Sequence, residues 1–153
     1  MCLGFQLHSI AQKWTTNNFE ADELKGVSAY TSHCYEDEKN NSFIFWTNSD
    51  YNFRIVVATG GIFDYRRTTL GPSVYKTIDI TVGFYDIKDN LIDKKKITMD
   101  VDDNSTFASR PWNHKNGKKV LKYLMGNQGY IRIIAPLYAK NIPFDIKVPC
   151  LQN

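Results

Sequence analysis

The chain has 153 residues, of which 42% are hydrophobic, 14% aromatic and 23% charged. That is enough for one domain with a real core, and it excludes disordered, collagen-like and coiled-coil chains. Nineteen Lys and Arg against sixteen Asp and Glu leave a net charge of +3, too small an excess to point to nucleic acid. No apolar stretch is long enough to span a bilayer as a helix.

Met1 to Ala11 holds no charged residue when His8 is neutral. Ser9 and Ala11 are small residues two apart, followed by Gln12. A signal peptidase reads that small-x-small spacing. A basic n-region and a longer apolar run are missing, so residues 1–11 read as the tail of a longer signal peptide. Residues 12–153 then form one exported domain, periplasmic or secreted. The competing reading is an ordinary N-terminal strand or arm. Cleavage would remove Cys2 and leave Cys34 and Cys150. An even pair in an oxidising compartment predicts a Cys34–Cys150 disulfide. In a cytosolic protein the same residues would be buried free thiols.

Val27 to Tyr35 is rich in strand formers, and Glu36 to Asn41 is a polar turn. Phe43-Ile44-Phe45-Trp46 is a compact aromatic strand, with Trp46 expected in the core. After the turn Asn48-Ser49-Asp50, Phe53 to Thr59 is another strand, broken by Gly60-Gly61. Ile62 to Tyr75 is ambiguous: Tyr65 to Thr69 is strand or loop, and Gly71-Pro72 is a turn. The strongest signal follows. Ile78, Ile80, Val82 and Phe84 alternate with polar or small residues, which marks a half-buried strand. Leu91 to Val101 reads as its antiparallel hairpin partner, with Lys95, Ile97, Met99 and Val101 on one side. Asp102 to Lys115 reads as a polar loop. Asn116 is the expected cap of one helix, with Val120, Leu121 and Leu124 on its apolar face and an end at Gly126 or Asn127. Tyr130 to Ala135 and Phe144 to Val148 are the closing strands. The expected fold is an all-β antiparallel sandwich with one short helix near the C-terminus, and a partly open barrel is the alternative. Half-buried strands argue against a doubly wound parallel sheet.

Motifs that carry chemistry are absent. The run Asp100-Val101-Asp102-Asp103-Asn104 has the acidity of a calcium loop, but Ser105 and Pro111 stand where an EF-hand needs Gly and Glu. A solvated turn is the better reading. There is no C-x-x-C, no G-x-S-x-G and no phosphate-binding glycine loop. His8, His33 and His114 are scattered, and His33 and Cys34 should point to opposite faces of their strand. No metal or cofactor is expected. The basic clusters are Arg66-Arg67, Lys94 to Lys96, and Lys118-Lys119 with Lys122. Tyr65 and Tyr123 flank two of them, a pattern that also suits nucleic acid. Neighbouring acids offset the charge, so a solvated face is favoured. Trp14 and Trp112 have polar flanks and are the surface candidates for stacking on a sugar ring or anchoring a protein. Packing under a loop is the plainer reading. Candidate ligand contacts are therefore Trp14, Trp112, Arg66 and Arg67.

The C-terminal third runs helix (Lys119 to Leu124), strand (Gly129 to Ile133), Pro136, then strand (Phe144-Asp145-Ile146). It resembles the end of exported β-sandwich proteins linked to type VI secretion. The match is confined to about a quarter of the chain and holds no catalytic residue, so it implies fold and export rather than an activity. The expected function is a small exported, non-catalytic domain that binds a protein or a glycan. The alternatives are a hydrolase using surface carboxylates and a basic nucleic-acid binder.

Overall fold

The computed structural model describes residues 14–48, 53–111 and 115–151, with backbone alone at 48, 53–56, 110 and 111. In chain order the strands are β1 (Thr15–Phe19), β2 (Tyr30–Glu36), β3 (Ser42–Asn48), β4 (Phe53–Ala58), β5 (Arg66–Leu70), β6 (Ser73–Tyr85), β7 (Leu91–Val101), β8 (Phe107–Pro111), β9 (Tyr130–Ala135) and β10 (Phe144–Pro149). A 3-10 turn, Glu23–Lys25, lies between β1 and β2, and helix α1 (Lys115–Gly126) between β8 and β9.

Among the described residues the strands form one antiparallel sheet in the order β1-β2-β3-β4-β8-β7-β6-β9-β10, with β5 added on β6. The length of β6 explains that branch. Residues 73–77 pair with β5 and residues 81–85 with β9, on the edge away from β7. The fold is therefore all-β and sandwich-like, as the alternation predicts, but the sheet is continuous and not closed. Its two ends approach where the Trp14 indole N–H donates to the Pro149 carbonyl at 2.9 Å. No ladder joins β1 to β10 among the described residues.

The inward faces make a single core. Ile78, Ile80, Val82 and Phe84 are 1% exposed or less. They share one cluster with Tyr35, Phe43 and Phe45 from one end of the sheet and Phe144, Ile146 and Val148 from the other. Val120, Leu121 and Leu124 of α1 complete it. The Tyr123 hydroxyl holds the helix down by donating to the Tyr85 carbonyl at 2.6 Å. Asn116 falls inside the helix and does not cap it; its side-chain amide donates to the Lys96 carbonyl at 2.8 Å. No helix among the described residues is long and apolar enough to cross a membrane.

Three hairpins turn by the same device. Asp37 Oδ1 accepts the N–H groups of Lys39 and Asn41, Asp86 Oδ1 those of Lys88 and Asn90, and Asp102 Oδ1 those of Thr106 and Phe107. In each turn a left-handed residue follows, Asn40, Asp89 or Ser105, with φ of 61°, 70° and 61°. A short carboxylate that satisfies turn amides stands in for missing ladder bonds. Asp102, in the acidic run, is thus a turn residue.

Several expectations need correction. Phe107–Pro111 is strand β8, filling the gap between β4 and β7, where a loop was expected. β1 pairs with β2 through a stretch with no apolar alternation. Trp46 is 38% exposed, because Phe45 takes the inward face and leaves Trp46 beside Tyr30, 6.0 Å between rings. The Cys34–Cys150 disulfide is not formed, since Cys150 is a free, buried thiol. Cys34 is itself disulfide-bonded and not to Cys150, and strand parity separates the two. Tyr35 points into the main core, so Cys34 points the other way and shares a separate small cluster with Ile44. Cys150 lies in the main core, with its Sγ 3.6 Å from the Tyr123 carbonyl. Residues 1–11, with Cys2 and His8, lie outside the described residues, as do Trp112 and His114.

Candidate functional site

Three connections meet beside the β5–β6 hairpin. Phe63 donates its N–H to the Ser105 carbonyl at 2.8 Å, Asp64 to the Pro136 carbonyl at 3.0 Å, and Tyr138 to the Ile62 carbonyl at 2.8 Å. The Phe63 side chain anchors this junction, fully buried and edge-on to Phe144 at 5.6 Å. These backbone bonds frame a cleft of about 510 Å³ whose walls include Tyr65, Arg67, Lys76 and Tyr138 together with the acidic residues Asp64 and Asp103.

Strand register places the charges. Arg67 and Lys76 are directly opposed across β5 and β6. Like charges in that relation repel, and Tyr65 sits where it offsets the cost. Arg67 Nη2 donates to the Tyr65 hydroxyl at 3.2 Å, and its Cζ lies 5.7 Å from the ring centre. Lys76 Nζ lies 4.9 Å from the same ring centre and donates to the Asp103 carbonyl at 3.2 Å. An aromatic face attracts cations at this range. The Arg67 hydrogen bond, together with the charges of Arg67 and Lys76, makes the Tyr65 hydroxyl more acidic than an ordinary tyrosine. Among the described residues no carboxylate lies within ion-pair distance of Arg67 or Lys76. The outer wall is Tyr138, 64% exposed.

Arg66 and Arg67 prove to be different kinds of residue. Arg66 points to the opposite face of the hairpin and is ion-paired with Asp79 at 3.0 Å, which makes it a structural pair. Arg67 faces the cleft. Trp14 is not a surface platform. Its ring packs on Tyr35, Phe43 and Phe45 at 5.6–6.2 Å and closes the sheet ends. Lys76, Tyr65 and Tyr138 were not among the candidate contacts. Tyr65 beside the two arginines was the available signal; Lys76 joins them only through the hairpin register. Two other hollows on the described surface have different walls. One, near Phe19 and Tyr30, has no lysine or arginine in its wall, and the other, near Lys39 and Lys140, includes Asp145, already paired with Arg132.

His33 and Cys34 do face apart, His33 stacking on Phe45 at 4.5 Å. Burial makes the His33 imidazole harder to protonate than usual. Among the described residues no group of three or more His, Cys, Asp or Glu is gathered to hold a metal ion. No family model matches this chain, and neither a curated protein nor a solved structure is found to match it.

Proposed function

We propose that this protein is a non-catalytic binding domain whose cleft at Tyr65, Arg67 and Lys76 takes an acidic glycan. The observation that carries the reading is the pair of cations held over one tyrosine ring with no carboxylate in ion-pair range among the described residues. Arginine and lysine side by side suit a carboxylated or sulfated sugar. Tyr138 supplies an exposed face for a sugar ring, and Asn104 lines the same cleft as a hydrogen-bonding group. The carboxylates whose acidity is displaced support a binding role over hydrolysis. Asp79, Asp86, Asp93 and Asp145 are all more acidic than usual, engaged by Thr98 and Arg66, by Asn90, by Lys119 and by Arg132 respectively, whereas a general acid needs the opposite shift. A periplasmic or secreted location fits such a ligand. The small-residue pattern at Ser9 and Ala11 and the C-terminal resemblance to exported sandwich proteins support it.

Calorimetric titration with glucuronate-containing and neutral oligosaccharides of equal length tests the reading. The acidic series should bind and weaken with added salt. Arg67→Gln and Lys76→Gln should each lower affinity about tenfold, the usual size for losing one charge-assisted contact. Equal binding of neutral and acidic sugars, or an unaffected Arg67→Gln variant, would remove the basis for it.

A further inference from the structure

The tip of the same hairpin, beyond Arg67 and Lys76, has a second feature. Every residue of β5 is exposed, and so are Ser73, Val74 and Tyr75 at the start of β6. Three of these are large and apolar: Leu70 is 66% exposed, Val74 58% and Tyr75 48%. From Thr68 to Tyr75 the chain carries no charge. The turn between the strands is Gly71-Pro72, with Gly71 at φ +58°. Glycine first and proline second suit a tight hairpin turn that needs positive φ at its first central position.

Register sets these residues in levels. Leu70 pairs with Ser73, Thr69 with Val74, Thr68 with Tyr75, Arg67 with Lys76, and Arg66 with Thr77. At about 3.3 Å per residue, the Arg67–Lys76 level lies about 10 Å behind the Leu70 level and Tyr75 about 7 Å behind it. Apolar groups of surface-bound elements sink about 5–10 Å into the headgroup and acyl boundary. Leu70 and Val74 would then meet acyl chains, Tyr75 the interface its amphipathic ring favours, and Arg67 and Lys76 the lipid phosphates. Leu70 and Tyr75 share one face of the hairpin and Val74 the other. Apolar surface on both faces suits insertion between lipids better than one-sided contact with a protein.

We propose that the β5–β6 hairpin is a membrane-docking finger, with Leu70, Val74 and Tyr75 entering the outer boundary of an anionic bilayer and Arg67 and Lys76 forming a basic collar against its phosphates. This goes beyond the glycan reading, with which it shares Arg67 and Lys76 but not Leu70, Val74 or Tyr75. The element inserts at the interface and does not span the bilayer.

Co-sedimentation with vesicles tests it, using phosphatidylcholine alone and phosphatidylcholine mixed with phosphatidylglycerol. The protein should sediment with the mixed vesicles, release as salt is raised, and bind phosphatidylcholine poorly. Leu70→Asp and Val74→Asp replace exposed side chains, so melting temperature should hold while mixed-vesicle binding falls about tenfold or more. Both variants should keep acidic-sugar binding in the cleft, so the two proposals fail separately. Equal binding to both vesicle types, no binding to either, or undiminished binding by Leu70→Asp would overturn the proposal. A solution dimer that Leu70→Asp dissolves, without vesicle binding, would assign the tip to self-association instead.

Discussion

Gly129 shows how one residue constrains three elements. A Cβ built there would lie 1.9 Å from the Tyr85 carbonyl oxygen, at the end of β6. The same residue's carbonyl accepts the Cys150 N–H at 3.0 Å, just past β10. The obstructing atom is backbone, so Gly129→Ala must move a strand. It should cost about 2–4 kcal/mol in denaturant unfolding, in the range of severe overpacking. Trp14 is a second such residue. Trp14→Ala should lower stability by about 2–4 kcal/mol, short of the largest core truncations because the ring is only partly buried, and it should leave acidic-sugar titration in the cleft unchanged. Polar neighbours in sequence pointed Trp14 outward. What buries it are aromatic rings on β2 and β3 and a carbonyl at the far end of the chain. Cys150 has the parity of Phe144 and lies in the main core, whereas Cys34 is one position from the inward Tyr35, and one position on a strand reverses the face.

At the scale of elements, legibility followed how much of an element's stability comes from its own side chains. β6 and β7 announce themselves, because Ile78, Ile80, Ile97 and Met99 are buried and alternate. β8 is hidden, since Ala108 is its only described side chain that is buried; neighbours on both edges supply its backbone bonds. β1 likewise exists through pairing with β2. The cleft suffered the same loss. Arg67 and Tyr65 stood together in the sequence, but β5 was ambiguous, so Lys76 had no visible partner. The helix shows the reverse case, with its apolar face correctly read and its cap displaced by a tertiary bond from Asn116 to Lys96. That face is what fixes α1 to the sheet. Leu124 is fully buried, and Leu124→Ala should cost about 2–5 kcal/mol by thermal or denaturant melting. A loss below about 0.5 kcal/mol would show that the site collapses around the missing atoms or that α1 is not docked as described.

For the molecule as a whole, stability against pH should show two limbs with different chemical origins. On the acid side, Asp79, Asp86, Asp93 and Asp145 are all more acidic in the fold than a free aspartate. Their causes differ: the Thr98 hydroxyl bond to Asp79, the Asn90 bonds to Asp86, the Lys119 contact with Asp93 and the Arg132 pair with Asp145. A depressed folded value means that the unfolded chain takes up protons first. These contributions are present above the ordinary aspartate range near about 3.9 and are lost as pH falls through the lower folded values. On the alkaline side the sign reverses. Burial raises the Cys150 thiol to about 11, and the Asp89 hydrogen bond raises the Tyr130 hydroxyl to about 12. Their stabilising effect is complete below the unfolded values, about 8.5 for a thiol and 10 for a phenol, and disappears as pH rises through the folded ones. Urea melts from pH 2 to 11 should therefore show a plateau between about 5 and 8, with losses on both sides. Cys150→Ala separates the limbs. It removes the thiol's part of the alkaline loss and leaves the slope below about pH 4 unchanged. In the native protein at neutral pH the same thiol should resist iodoacetamide and react after unfolding, because both its burial and its raised pKa suppress the thiolate. Rapid alkylation of Cys150 in the folded state would contradict both its position beneath Tyr123 and the proposed origin of the alkaline limb.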